Sequence, residues 1–156
     1  MSCINRNQIT EVVRNSKAAG KTLVFTNGCF DIIHAGHVRY LAEAKKLGDY
    51  LIVGLNSDRS VKELKGPNRP INHQDDRAEV IAALAAVDYV VIFDERTAEN
   101  LINEVKPDIY VKGGDYCIED IPEASIVANN GGKTVLIPEV PGRSSTNMIK
   151  KITETT

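Results

Sequence analysis

The chain has 156 residues, 42% of them apolar and 26% charged, with a formal net charge of −2. That length buries a full core without disulfides or a structural metal, so one domain over residues 1–156 is expected, a helix within 1–20 leading into a core over 21–152. The slightly acidic balance argues against a general binder of nucleic acid or of membrane surfaces, because both uses call for a basic excess that neutralises phosphates. Cys3, Cys29 and Cys117 are odd in number and lack paired ligand spacing, so neither a disulfide framework nor a protein-held metal is indicated. Met1 to Thr22 shows no apolar run of signal-peptide length, and no later stretch approaches bilayer-spanning length, which reads as a cytoplasmic protein.

Taken in chain order, Ile9, Val12 and Val13 share one face of a helix expected over about Gln8 to Ala19 and ended by Gly20. Leu23 to Phe25 reads as a first buried strand. Val38, Leu41, Ala42 and Ala44 then repeat at helical spacing before Gly48, and Tyr50 to Leu55 forms a second buried run. After Asn72, Val80, Ile81, Leu84 and Ala85 mark another amphipathic helix. Tyr89 to Phe93, Ile109 to Val111 and Val135 to Ile137 complete the strand-like runs, and a closing helix begins at Ser145 or Thr146, either of which offers a capping hydroxyl. Strands alternating with helices predict an α/β, doubly wound, Rossmann-like parallel sheet. Ligands of such sheets lie at the carboxyl ends of strands, which directs attention to the loops after Phe25, Leu55 and Val111.

The densest chemical signal is Thr26-Asn27-Gly28-Cys29-Phe30-Asp31-Ile32-Ile33-His34-Ala35-Gly36-His37, leaving the first strand and entering a helix. A helix N-terminus carries unpaired amides and partial positive charge, Gly36 lets a phosphate approach the backbone, and His34 and His37 are placed to donate hydrogen bonds to it. Displacement at phosphorus asks the protein chiefly for positioning and for neutralisation of charge. Lys62, Lys65 and Arg77 are candidates for that second task, with Mg²⁺ carried on the phosphates. Gly20-Lys21-Thr22 and Gly132-Lys133-Thr134 lack the earlier glycine of a P-loop, and Gly113-Gly114 is too short for a dinucleotide fingerprint. Cys29 reads as a small packing residue and His73 as a surface histidine, while Asp31 suits a structural hydrogen-bonding role as well as a ligand contact.

His34-Ala35-Gly36-His37 preceded by Asn27-Gly28-Cys29-Phe30-Asp31 resembles the HxGH signature of the nucleotidyltransferase superfamily in its cytidylyltransferase-like branch. Within that branch the chain is most similar to the adenylyltransferase domain of bacterial heptose-phosphate enzymes. The resemblance runs through Leu47-Gly48-Asp49, Val53 to Asp58, Leu64 to Pro67, Arg69 to Asn72, Ala86-Val87-Asp88, Val111 to Tyr116 and Ser145 to Ile152. It implies that His34 and His37 stabilise the triphosphate at the transition state, that Lys65 contacts phosphates from a mobile loop, and that Arg77 makes a phosphate contact. It further implies a nucleotide site built from Thr26, Asn27, Gly28, Cys29, Phe30, Asp31 and Gly36, from Lys112, Gly113, Gly114 and Asp115 beside the nucleoside, and from Ser144, Ser145 and Thr146 on phosphate.

The activity implied is transfer of AMP from ATP, as the Mg²⁺ complex, to D-glycero-D-manno-heptose 1-phosphate, giving ADP-heptose and pyrophosphate for lipopolysaccharide or another glycan, with GTP as a possible nucleotide. A separate kinase would supply the sugar phosphate. The resemblance also implies a homodimer. Glu139-Val140-Pro141-Gly142-Arg143-Ser144-Ser145 stands where related cytidylyltransferases carry an arginine-led R-T-E-G-I-S-T stretch, and this counts against a cytidylyl reading. The alternatives are a glycerol 3-phosphate cytidylyltransferase and a nucleotide-binding module without turnover.

Overall fold

The apolar runs of the sequence assemble side by side into one parallel sheet. The computed structural model describes residues 2–114 and 116–155. Its strands are β1 (Cys3–Ile4), β2 (Leu23–Gly28), β3 (Tyr50–Asn56), β4 (Tyr89–Phe93), β5 (Ile109–Gly113) and β6 (Lys133–Ile137), in the spatial order β1-β4-β3-β2-β5-β6. Every neighbouring pair is parallel. The helices are α1 (Arg6–Ala18), α2 (Ala35–Lys45), α3 (Asp58–Lys65), α4 (Gln74–Ala82), α5 (Glu99–Val105), α6 (Pro122–Asn129) and α7 (Ser145–Thr155).

Alternation along each strand sorts the core into two layers. Phe25, Ile52, Val91, Phe93 and Tyr110 point to one face, where they meet Ile9 and Val13 of α1, Leu101, Ile102 and Val105 of α5 and Val127 of α6. Val24, Leu51, Val53, Leu55, Val90 and Val111 point to the other, against Leu41 and Ala44 of α2 and Ala78 and Ile81 of α4. A sheet covered on both faces explains why its strands read as continuous apolar runs. The strand order reverses between β2 and β5, which opens a crevice at their carboxyl ends.

Local chemistry sets the helix boundaries. Asn5 caps α1 in a reciprocal box, its side chain accepting from Gln8 N at 2.9 Å while Gln8 Oε1 accepts from Asn5 N at 2.8 Å, so α1 begins two residues before the expected Gln8. The two-residue strand β1 pairs with β4 and was not expected, being too short to show a period. α7 starts at Ser145 but is capped by Ser144, whose Oγ accepts from Asn147 N at 3.0 Å. His73 caps α4 through Asp75 N, a more definite role than the expected solvated histidine.

Candidate active site

The loop leaving β2 turns sharply at Phe30, whose φ of 45° places a bulky residue in the left-handed region. The chain then enters α2 with His34 as its N-cap. His34 Nδ1 accepts from Gly36 N at 3.1 Å, and His37 Nδ1 accepts from His34 N at 3.4 Å, a capping box made by two imidazoles. An accepting Nδ1 in a neutral ring leaves the proton on Nε2, so the backbone fixes the tautomer of both histidines. The rings stack with centroids 3.9 Å apart, and Phe30 meets His37 edge-on at 5.2 Å.

Burial, followed by the neighbouring His34, lowers the His37 pKa to about 4, and burial followed by Arg143 lowers that of His34. Both are therefore neutral donors near pH 7. His34 Nε2 is buried without a hydrogen-bond partner among the described residues. Such a donor is costly unless a ligand oxygen meets it. Gly36 is required by the same packing, because a Cβ there would lie 2.8 Å from His34 Cε1.

These groups line a cleft of about 580 Å³ at the carboxyl ends of β2 and β5, a size in the range of roughly 300–1,000 Å³ typical of small-ligand sites. The signature contributes Asn27, Gly28, Cys29, Phe30, Asp31, His34, Gly36 and His37, β5 contributes Lys112 and Gly113, and the start of α7 contributes Ser144, Ser145 and Thr146. Two helix N-termini thus open onto one cavity, and Lys65, Lys112 and Arg143 add formal positive charge. Ser145 Oγ donates to Ile32 O at 2.8 Å and ties the start of α7 to the signature loop.

Several expected contacts lie elsewhere. Arg77 is 1% exposed and does not line the cleft. Its guanidinium donates to the carbonyls of Asn72, Cys29 and Asn56 and to the Asp58 carboxylate, so it is an internal brace with no donor directed at a phosphate. Thr26 is wholly buried, its hydroxyl bonded to Val111 O and to the Tyr40 hydroxyl across the β2–β5 junction. Gly114 is buried at φ 111° and forms no part of the wall, and Asp115 lies outside the described residues. Lys65 lines the cleft, though as the exposed last residue of α3 and not as part of a loop. Lys62 does not line it.

Asp31 performs the structural task. Its carboxylate accepts from Ile71 N and Asn72 N and pairs with Arg69 at 3.0 Å, anchoring the segment between α3 and α4. Burial alone would raise its pKa, but the amides of Asn72 and Ile71 and the Arg69 guanidinium outweigh burial and lower it. Cys29 is held as a thiol, since burial raises its pKa despite Lys65, Arg77 and Arg69 nearby, and no imidazole is hydrogen-bonded to its sulfur. A packing role follows.

The wall also contains residues that sequence reasoning did not select: Tyr40, Asn56, Arg69, Arg96, Thr97, Glu123 and Glu139. Asn56 and Arg69 sit in stretches already noted for their resemblance. Burial raises the Tyr40 pKa to about 12, so its hydroxyl stays protonated beside Thr26. Arg96 and Glu123 carry no local sequence signal, because only the fold brings them to the cleft.

The model of the cytidylyltransferase-like family matches residues 25–151, and the histidine pair, both helix N-termini and β5 fall inside that span. The chain belongs to the cytidylyltransferase-like family. It is a nucleotidyltransferase of Rossmann-like fold. It is 51% identical over 150 residues to the bifunctional protein HldE of Trichlorobacter lovleyi and 57% identical over 144 residues to that of Campylobacter fetus subsp. fetus. Those alignments cover 96% and 92% of this chain, and the chain spans about 30% of the length of each relative. Among solved structures it matches the lipopolysaccharide core biosynthesis protein of Thermoplasma volcanium with a TM-score of 0.64 and 31% identity, covering 78% of this chain and 98% of the other. No helix among the described residues is long and apolar enough to cross a membrane.

Proposed function

We propose that the protein transfers the AMP group of ATP to D-glycero-D-manno-heptose 1-phosphate, releasing pyrophosphate and ADP-heptose, with GTP as the alternative nucleotide. The observation that carries this reading is the pair of neutral histidines, tautomers fixed by backbone amides, facing a cleft where α2 and α7 both begin. The similarity to HldE proteins and to a lipopolysaccharide core biosynthesis protein supports a sugar phosphate as acceptor.

In the proposed step an ionised oxygen of the sugar 1-phosphate attacks the α-phosphorus in line with the bond to the β-phosphate. The new P–O bond forms as the α–β bridge breaks, and pyrophosphate leaves with the bonding pair. The nucleophile is already anionic, so no general base is needed. What the site must supply is stabilisation of charge gathering on the α-phosphate and the leaving oxygen. His34 and His37 serve as donors through Nε2–H, the α2 and α7 amides add their partial charge, and Lys65, Lys112 and Arg143 neutralise the β- and γ-phosphates.

Mg²⁺ enters on the triphosphate in this reading. No group of three or more His, Cys, Asp or Glu among the described residues is arranged to hold a metal, whereas the basic cleft suits phosphates that carry their own. When bound, the ion offsets charge on the phosphate oxygens.

The test is pyrophosphate release with Mg²⁺ and both anomers of heptose 1-phosphate, comparing ATP, GTP and CTP, with glycerol 3-phosphate as competing acceptor. Release with a heptose phosphate and a purine triphosphate is expected. Release only with CTP and glycerol 3-phosphate would move the activity to the cytidylyl reading, and nucleotide binding without release would leave a binding module.

A further inference from the structure

One wall residue of the cleft stands out because binding of phosphates does not account for it. Glu123, in the first turn of α6, is 6% exposed and lines the same cavity, yet its Oε2 is buried with no hydrogen-bond partner among the described residues. A glutamate near a helix N-terminus is favourable through the helix dipole. That benefit is available to a side chain extended into solvent and does not require a carboxylate oxygen enclosed in a cavity wall. Buried polar atoms are normally partnered, and a carboxylate that is not invites a donor from a ligand.

The required donor is not a phosphate, which would repel a carboxylate. Beside Glu123, the Tyr110 hydroxyl donates to Asn27 Oδ1 at 2.6 Å, which leaves the Asn27 amide NH₂ as a donor on the same wall. An accepting carboxylate next to a donating amide matches groups that both give and receive hydrogen bonds. Hydroxyls do both, and adjacent hydroxyls of a sugar do so in a row. α5 and α6 pack together on this face of the sheet, and the β4–α5 loop adds Arg96 and Thr97 to the wall. α2, which carries His34 and His37, packs on the opposite face of the sheet from α6, and in the proposed function phosphate lies on that side.

We infer that Glu123 is a specificity-determining residue that reads the hydroxyls of a sugar lying in the cleft, with Asn27 as its donor counterpart. The inference rests on the proposed nucleotidyl transfer for its geometry, and the sugar is either the ribose of the nucleotide or the ring of the acceptor. Both present adjacent hydroxyls.

The experiment compares wild type with Glu123→Gln and Glu123→Leu in steady-state pyrophosphate release, in thermal unfolding, and in calorimetric titration with ATP and with 2′,3′-dideoxy-ATP. The expected result is a rise of about tenfold or more in KM for one substrate, with kcat changed less than about threefold, because a lost charged hydrogen bond to a hydroxyl weakens binding on that scale. A rise confined to the nucleotide, with dideoxy-ATP binding wild type and variants alike, assigns the hydroxyls to the ribose. A rise confined to heptose 1-phosphate assigns them to the acceptor.

Unfolding temperature should hold steady or rise, since no protein partner is lost. Unchanged KM for both substrates overturns the inference, as does a fall in unfolding temperature with all kinetic constants intact, or a change in base preference without sensitivity to the hydroxyls. If wild type releases no pyrophosphate with any pair, the proposed activity fails. Titrations with ATP and with heptose 1-phosphate then decide the inference separately, since affinities for both that are the same in wild type and in the two variants would overturn it.

Discussion

His34 and His37 are stacked 3.9 Å apart, and the Nδ1 of each receives a backbone N–H from within the same helical turn. The pair acts at once as the cap of α2 and as two donors held in one orientation. Replacing either by alanine is expected to lower kcat by about 10²–10³, the scale for losing a transition-state donor, while nucleotide affinity changes much less. Single-turnover rates beside a binding titration check this. Equal losses in both would remove the histidines from the transition state.

Acid should destabilise the fold partly through His37. Its pKa is about 4 in the folded chain against 6.5 as the ordinary value. Above pH 6.5 both states are neutral there and nothing is lost. Between pH 6.5 and about 4 the unfolded chain takes up a proton that the folded chain does not, so stability falls as pH falls. Urea unfolding of wild type and His37→Gln across this window should converge toward low pH, because the variant lacks that proton. Parallel curves would show that the imidazole is not held neutral.

Arg77 and Lys65 separate stability from turnover. Arg77→Met takes a donor from three carbonyls and from the Asp58 carboxylate, which keeps His73, and should cost about 2–4 kcal/mol of stability, below the upper end for a fully buried ion pair because Asp58 is partly exposed. Lys65→Ala, at an exposed helix end, should change stability by less than about 0.5 kcal/mol yet reduce turnover. Thermal unfolding and pyrophosphate release on both variants check the split. A stable, inactive Arg77 variant would return that residue to the phosphates.

Gly36→Ala should impair turnover with little loss of fold, because the added methyl would press on the His34 ring, 2.8 Å from its Cε1, and displace the donor. Activity close to wild type would show that the ring yields without consequence.

What was legible in the sequence followed the range of each interaction. The histidine pair shows itself because capping and tautomer choice operate over three residues, and the buried strands show themselves as runs. β1 is too short for any pattern. Arg77 looked available for phosphate because its helix position is plain, but its partners lie up to 48 positions away, and only folding reveals that the guanidinium is spent on three carbonyls and the Asp58 carboxylate away from the cleft. Glu123 was invisible for the same reason: a lone glutamate in a first helical turn looks ordinary until the cavity around it is seen. The cap of α7 falls on Ser144, not on the expected Ser145 or Thr146, because adjacent hydroxyls are equivalent on paper and backbone geometry chooses among them.

α7 buries none of its side chains, and Ser145 Oγ on Ile32 O tethers its start to the signature loop. The part of the cleft wall formed by Ser144, Ser145 and Thr146 therefore rides on a helix with no buried side chain. A triphosphate gripped by Ser144, Ser145 and Thr146 on one side and by the α2 turn on the other would act as a clasp between them, raising protection of α7 amides against hydrogen exchange by as much free energy as those contacts contribute. Departure of pyrophosphate would undo that clasp, and the energy of holding the leaving group would be returned as freedom of the helix when the product leaves.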